Sequence, residues 1–308
     1  IKALIDVCGI AISNINTYHL GYLLAPRLNA AGRLGDPAIG VELLTATDEK
    51  HAYKIAEELN NLNSLRQAIE NDILTFASEE AEKQNDIKRG KVMVISGENW
   101  HIGVIGIVAS RLVEKFGLPV VLISIDGSIG RGSARSVAGF NLYEAMNKCS
   151  SLFEKFGGHE MAAGLTIKKE NIKHFRELIN QVAVEMLEGR ELIQKIYVDY
   201  KIDNIDSLPG LIEEMNALQP FGEGNPVPLF VFRRLLVKDI KLVGNGKHLS
   251  IYLNDGSNSI KGIGFNIGFM INSIEVNQKI DIICSVEKNV WNGIESVQLN
   301  IKDLKKAK

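Results

Sequence analysis

Two glycines followed by a histidine form the part of this sequence best suited to contact a ligand. They are Gly157, Gly158 and His159, within the segment FGGHEMAAG from Phe156 to Gly164. Glycine has no side chain, so its backbone allows a bound molecule to approach closely. We interpret the segment as a ligand-binding loop. A tight turn with an internally hydrogen-bonded histidine is the alternative that the residues alone leave open.

Hydroxyl and guanidinium groups follow one another in a second segment, GRGSARS, from Gly130 to Ser136. Ser133, Arg135 and Ser136 match the several acceptor oxygens of a phosphate group. If this segment faces the GGH segment, the two form a pocket for a terminal phosphate and the nucleotide next to it. The convergence of the two segments is the central spatial prediction from the sequence.

A third group of polar residues lies in APRLNAAGRL, residues 25–34. Arg27 and Arg33 bracket a stretch of small residues that also contains Asn29, so two guanidinium groups and an amide are available to a chain of phosphates. Pairing of the same arginines with carboxylates inside the protein would use these residues equally well. The pattern leaves both readings open.

The segment GENWHIG, from Gly97 to Gly103, lies between a predicted strand and a predicted helix. Ligands of α/β sheets often bind at such junctions, and a helix N-terminus attracts anions. Trp100 and His101 are therefore candidate binding residues. The alternative for His101 is a hydrogen bond to its own loop.

Taken together, these motifs resemble the RecJ family, single-strand-specific 5′→3′ exonucleases of the DHH phosphoesterase superfamily. The similar strings are APRLNAAGRL, GSARS, GGHEMAAG and QPFGEGNPVPLF, in this order along nearly the whole chain. The resemblance implies that the GGH segment belongs to a DHH-associated domain. It also implies that Arg135 clamps a phosphate, that Ser133 and Ser136 donate to its oxygens, and that His159 contacts a phosphate or assists in neutralising charge.

In that family, phosphodiester hydrolysis uses a water activated by Mn²⁺ or Mg²⁺, which a DHH domain binds. The aspartate and histidine ligands of a DHH domain have no counterpart in this sequence. We therefore expect no metal site, no catalytic residue beyond an auxiliary His159, and no nuclease activity in these residues alone. The missing domain and the absence of an initiator methionine suggest a piece of a longer protein.

The resemblance also predicts the partners. We expect single-stranded DNA, the DHH domain of the same parent chain, and a single-strand-binding protein or a helicase as further candidates, with a monomeric state. The three cysteines form no CxxC pair, which favours a reducing cytoplasm, and no apolar run is long enough to span a membrane. The net charge of −2 argues against a protein that coats nucleic acid by bulk electrostatics.

Two other functions remain open at this point. A phosphodiesterase of the DHH superfamily that degrades dinucleotides or very short RNAs shares the GGH segment, but does not need the basic tail of this chain. A non-catalytic nucleic-acid-binding or docking module is the second alternative, with the GGH segment reused as in the editing-associated tail of alanyl-tRNA synthetase.

Hydrophobic periodicity predicts an α/β fold followed by a β-barrel. Apolar residues spaced by three and four predict a long helix from Asp48 to about Gln84, which we interpret as a strut between two lobes. Strand, helix and strand patterns at 91–96, 102–116 and 119–125 predict a sheet with crossover helices. The expected divisions are 1–47 bordering a DHH domain, 48–88 as the linking helix, 89–190 as the DHH-associated domain, 191–228 as a connector, and 229–308 as an OB domain.

Five strand-like runs after Leu229, separated by turns, predict the five-stranded OB barrel. Residues 229–308 contain twelve Lys or Arg against seven Asp or Glu, a net +5, which favours contact with single strands. Solvated surface charge is the alternative for any single lysine, and a hairpin anchor is the alternative for the tryptophan. The candidate contacts are Arg233, Arg234, Lys241, Lys247 and Trp291.

Overall fold

The computed structural model describes residues 1–83, 91–192, 195–291 and 294–307, and of residues 14, 290, 291 and 294 it describes the backbone only. The chain divides into two compact units, Ile1–Gln194 and Lys195–Lys308. The hydrophobic cores of the two units are separate. Within the described residues, no helix combines the length and the apolar character needed to cross a membrane.

Helices form the first part of the first unit. They are α1 (Lys2–Val7), a π-helical turn (His19–Leu24) that runs directly into α2 (Ala25–Leu34), α3 (Ala38–Thr45) and α4 (Glu49–Lys83). The predicted long helix is confirmed, and its start is capped because the Asp48 carboxylate accepts a hydrogen bond of 2.7 Å from the His51 amide.

The two ends of α4 belong to different cores. Ile55 and Leu59 pack with α1 to α3, whereas Ile73 and Ala77 pack in the core beneath the sheet. At 35 residues the helix is about 52 Å long, which is enough to join both cores.

A five-stranded sheet completes the first unit, with the strand order β1-β2-β3-β5-β4. Strands β1 and β2 are parallel and the other pairs are antiparallel. The elements in chain order are β1 (Met93–Glu98), α5 (Ile102–Phe116), β2 (Val120–Asp126), β3 (Ile129–Arg135), α6 (Leu142–Lys148), β4 (Phe153–His159), β5 (Ala162–Lys168) and α7 (Ile172–Leu187).

The interpretation of the GGH segment as a loop is wrong, because Gly157, Gly158 and His159 form the end of β4. The strand is possible because pairing with β5 satisfies its backbone groups, and the chain turns only at Glu160 and Met161. A side chain on Gly158 would lie 2.3 Å from the carbonyl oxygen of Ala162, so this position requires glycine.

Different helices cover the two faces of the sheet. Helices α6 and α7 cover one face, where Val121, Ala134 and Ala163 are buried. Helix α5, backed by α4, packs on the other face, where Ile95 and Leu122 are buried. On that second face Gly157 of β4 and Gly164 of β5 are exposed.

The second unit is a closed barrel of the OB type, as predicted. After β6 (Tyr200–Ile202) and α8 (Leu208–Asn216), five strands pair in the order β7-β8-β9-β11-β10, and β10 closes the barrel on β7. Strand β6, predicted from residue 196, begins later, at Tyr200. The barrel strands are β7 (Phe230–Val243), β8 (His248–Asn254), β9 (Ser259–Gly264), β10 (Lys279–Trp291) and β11 (Ile294–Lys306).

Candidate functional site

Strand register brings the GSARS and GGH segments onto one face of the sheet. Ser133 is level with Gly164 and Gly157, and Arg135 is level with Ala162 and His159. Side chains alternate along a strand, and the intervening row of Ala134 and Ala163 is buried on the opposite face. The two segments therefore lie two strand spacings apart, about 10 Å, with β5 between them.

The Arg135 guanidinium is half-buried and fixed in place. Its Nη1 donates to the Ser133 hydroxyl at 3.1 Å and to the Ala134 carbonyl at 2.8 Å. Burial lowers the pKa of Arg135, and the nearby positive charge of Arg33 lowers it further. In the described part of the chain no carboxylate pairs with Arg135. A preorganised guanidinium without a counter-charge is suited to bind an anion.

The close approach of α2 to α5 brings Arg33 near Arg135. A Cβ on Gly103 would lie 2.3 Å from the Arg33 carbonyl oxygen, and one on Gly106 would lie 3.0 Å from both Arg135 Nη2 and Ser133 Oγ. The Arg33 side chain then donates to the Gly103 carbonyl at 3.1 Å. We name Arg33, Ser133, Arg135, Gly157 and His159 the arginine–glycine face.

His159 and His101 are oriented in the same way. The Nδ1 atom of each ring accepts a hydrogen bond from the amide two residues later, from Met161 at 3.3 Å and from Gly103 at 3.1 Å. In a neutral ring the proton is then assigned to Nε2, which leaves an N–H donor on the exposed side. His101 thus makes the hydrogen bond to its own loop that the sequence left open, and it keeps one free donor.

Several predicted residues have other contacts in the structure. Ser136 is buried and its hydroxyl donates to the Phe140 carbonyl at 2.7 Å, so its predicted place in a phosphate pocket is corrected. The ring of Trp100 lies over Gly97 and packs edge-on against Phe76, and its ligand contact stays a prediction.

The three predicted binding residues on α2, Arg27, Asn29 and Arg33, do not all lie on the same side of the helix. Arg27 donates to the Asn60 amide oxygen at 3.0 Å and to the Leu23 carbonyl at 2.6 Å, and so ties α2 to α4. Asn29 is exposed one turn before Arg33 and shares its side of the helix. Only Asn29 and Arg33 of this group therefore remain available to a ligand.

Two residues of this face, Arg131 and Gly164, were not predicted as site residues from the sequence. Arg131 is exposed on the same face of β3 as Ser133 and Arg135, and Gly164 leaves open space between the two segments. The alternation of residues 131, 133 and 135 is the signal that identifies Arg131, once the segment is read as a strand.

The predicted basic contacts of the barrel lie in two places. Arg233 and Arg234 occupy a bulge in β7, where Arg234 has a φ of +59° and its amide donates to Asp281 at 3.0 Å. Lys241 and Lys247 are exposed near the turn between β7 and β8. The side chain of Trp291 lies outside the described residues.

The described residues contain no group of three His, Cys, Asp or Glu side chains close enough to bind a metal ion. The resemblance assigns the divalent metal to a DHH domain of the parent protein, and we assign no step through a metal to this chain.

Comparisons with known proteins agree with this architecture. Residues 89–185 match the DHHA1 domain and residues 198–303 match the RecJ OB domain. The chain is 36% identical, over 98% of its length, to the single-stranded-DNA-specific exonuclease RecJ of Bacillus subtilis strain 168, and spans 39% of that protein. It is 31% identical, over 99% of its length, to the corresponding Escherichia coli K12 protein, and spans 54% of it.

Among solved structures, RecJ from Thermus thermophilus in complex with Mg²⁺ superposes with a TM-score of 0.83 at 26% identity, covering all of this chain and 46% of that one. The chain therefore spans about half, or less, of the length of these relatives. From these matches we identify it as a RecJ-type sequence that comprises a DHHA1 domain and a RecJ OB domain.

Proposed function

We propose that this chain binds and orients single-stranded DNA within a RecJ-type exonuclease. The arginine–glycine face would hold the phosphodiester backbone near the reacting end, and the barrel would grip another part of the strand. Phosphodiester hydrolysis itself would take place on a metal-binding DHH domain of the parent protein. The proposal extends to this chain the activity that its relatives carry in their names.

The observation that carries the proposal is the state of Arg135. Its guanidinium is half-buried, held by Ser133 and by a backbone carbonyl, close to a second arginine, and without a carboxylate among the described residues. Two neighbouring positive charges repel each other, so an anion that neutralises both is strongly favoured. A DNA phosphate supplies that charge and has acceptor oxygens for both guanidinium groups.

The remaining residues of the face fit the same ligand. Gly157 has no heavy atom within 4 Å of the place where a Cβ would stand, so a sugar–phosphate chain can lie directly on the strand. The Nε2 donor of His159 is available for a phosphate oxygen at the edge of the face. These groups would position a phosphate and would disperse charge that develops on it.

The domain organisation expected from the sequence is part of the proposal. Residues 1–47 would border a DHH domain, and 48–88 would link it to the DHHA1 domain. Large apolar side chains in the first 44 residues are exposed, and Tyr18 and Tyr22 stack on each other, which supports an interface in this part of the chain. They include Ile12, Tyr18, Leu20, Tyr22, Val41 and Leu44. A cytoplasmic location and a role in DNA repair belong to the same proposal, and the three free thiols support the location.

Two measurements test the proposal. In fluorescence anisotropy, we expect the purified chain to bind a labelled 20-nucleotide single strand at low salt, with affinity that falls as salt rises. With Mn²⁺ or Mg²⁺ present, the same strand should remain intact. Absence of binding at low salt contradicts the DNA-binding role, and metal-dependent degradation contradicts the assignment of hydrolysis to another domain.

A further inference from the structure

The buried side of helix α4 is apolar toward both ends and charged in the middle. From Leu59 to Ile73 its buried residues follow one another at spacings of three and four, which places them on one side of the helix. Between these two apolar residues lie Asn63, Arg66 and Glu70, all of them buried. Only 1% of Glu70 is exposed. Because a glutamate is almost never buried so deeply without a partner, the contacts of Glu70 indicate its role.

The Glu70 carboxylate joins α4 to α5. Arg66 of the same helix donates to its Oε2 atom, and the Asn63 amide oxygen accepts from Arg66 at 3.1 and 3.2 Å. Arg111 of α5, which is half-exposed, forms an ion pair with the other oxygen, with its Nε 2.5 Å from Oε1. Oε1 accepts no hydrogen bond from the residues that the structure describes. The link between the two helices therefore depends on the charge of Glu70.

Helix α5 contacts both arginines of the arginine–glycine face. The Arg33 side chain donates to the Gly103 carbonyl at 3.1 Å. Gly106 leaves space for Arg135, whose Nη2 lies 3.0 Å from the place where a Cβ would stand. Arg111 lies five residues after Gly106, about 7.5 Å further along the helix axis. A shift of α5 along its axis would therefore move the acceptor of Arg33 and the space beside Arg135 together.

Other contacts between α4 and α5 specify their register less strictly. Apolar residues of α5 such as Val108 and Leu112 are buried in the shared core, but apolar contact is non-directional. A second ion pair, Lys115 with Glu82 at 3.0 Å, joins the same helices, but both side chains are largely exposed, and an exposed pair adds little. A buried charge must meet its partner, because leaving it unpaired is costly. The buried carboxylate of Glu70 therefore favours a single register.

We propose that Glu70 is a positioning residue of the arginine–glycine face. Through Arg111, its buried carboxylate holds α5 in one register on α4. Helix α5 in turn keeps an acceptor beside Arg33 and space beside Arg135, so Glu70 acts on the face without touching DNA. Fixing register is the best-attested role of buried polar and ionic groups. The inference rests on the proposed function and adds a residue that lies outside the site motifs of the sequence.

The test measures the melting temperature of the full chain and, by fluorescence anisotropy, its affinity for a labelled 5′-phosphorylated single strand. Glu70→Gln keeps an oxygen for Arg66 but removes the charge that attracts Arg111, so we expect affinity to fall about fivefold. Glu82→Gln is the matched control, since it removes a charge from the exposed pair between the same helices, and it should bind as the wild type does. In the Arg135→Ala background, Glu70→Gln should cause no further loss, because the contact it positions is already absent.

A second variant distinguishes positioning from stability. Arg66→Met combined with Glu70→Leu replaces the buried ion pair by apolar side chains, which is often neutral or stabilising. We expect its melting temperature to equal or exceed that of the wild type, while its affinity stays as low as that of Glu70→Gln. If Glu70→Gln does not fold, this apolar variant decides alone.

Three outcomes overturn the positioning role while leaving the proposed function intact. They are wild-type affinity in Glu70→Gln, wild-type affinity in the apolar variant, and a further loss of the same size when Glu70→Gln is added to Arg135→Ala. In the last case the effect would not pass through the arginine–glycine face. Failure of the wild type to bind any strand at low salt rejects the proposed function itself.

Discussion

The arginine–glycine face and the barrel surface both present positive charge, but they do so in different ways. On the sheet, Arg135 is half-buried, hydrogen-bonded to its own strand, and next to a second guanidinium. On the barrel, Lys241 and Lys247 are exposed lysines. The first arrangement is suited to fix the position of a phosphate, whereas the second is suited to attract a chain of phosphates without fixing any one of them.

The two surfaces should therefore contribute differently to binding, one by positioning the DNA strand and the other by holding it. A guanidinium held by hydrogen bonds loses little conformational freedom when it binds, so its contribution is directional. Exposed lysines contribute mainly through release of counterions, which depends strongly on salt. The face should therefore set where the strand lies, and the barrel should set how tightly the strand is held as ionic strength changes.

The largest effect should come from Arg135→Ala. Loss of a charge-assisted contact costs about 1.5–3 kcal/mol, so we expect affinity for a 5′-phosphorylated oligonucleotide to fall about tenfold or more in anisotropy titrations. Arg135→Lys should recover part of this loss, because it keeps the charge without the planar fork. Arg190→Ala is the control, since among the described residues the Arg190 guanidinium donates to the Leu187 and Met186 carbonyls of its own helix. If both alanine variants bind equally well, the contrast between the two surfaces fails.

Adjacent glycines allow stability and binding to be separated on one strand. Gly158→Ala would bring a methyl group within 2.3 Å of the Ala162 carbonyl at a φ of +154°, so the melting temperature should fall by several degrees. Gly157→Ala meets no atom within 4 Å, so the protein should stay as stable as the wild type while the methyl group weakens DNA binding a few-fold. Unchanged binding by Gly157→Ala would show that DNA does not lie on this strand.

The smallest effects should come from the barrel lysines. Lys241→Met and Lys247→Met should each weaken binding two- to threefold at low salt and reduce the slope of log affinity against log salt by about 0.7. Lys173→Met, an exposed lysine on α7, is the control and should leave the slope unchanged. If all three variants leave the slope unaltered, the turn between β7 and β8 does not contact DNA.

Local patterns allowed most elements to be predicted. Helix α4 contains no glycine or proline, and its apolar spacing is regular, so the sequence determines its existence and nearly its bounds. The barrel was predictable because its strands alternate and are separated by Gly- and Asn-rich turns. These signals act over a few residues and do not depend on distant parts of the chain.

The site was predictable only in part, because it depends on pairings between distant segments. Arg135 and His159 share a face because β5 lies between their strands, and strand order cannot be read from either motif. Ser136 follows Arg135 directly, so strand alternation turns it inward. Arg27 and Arg33 are the same residue type in one motif, but helical geometry directs Arg27 toward α4.

A phosphate contact at Arg135 and Arg33 is the central claim, and arginine side-chain NMR observes such a contact directly. In ¹H–¹⁵N spectra of the Nε–H groups, we expect the Arg135 and Arg33 signals to shift when a 5′-phosphorylated single-stranded hexanucleotide is added. The Arg176 signal should stay in place, since its Nε donates to the Val94 carbonyl at 3.0 Å. Shifts confined to Arg233 and Arg234 of the barrel would contradict the account.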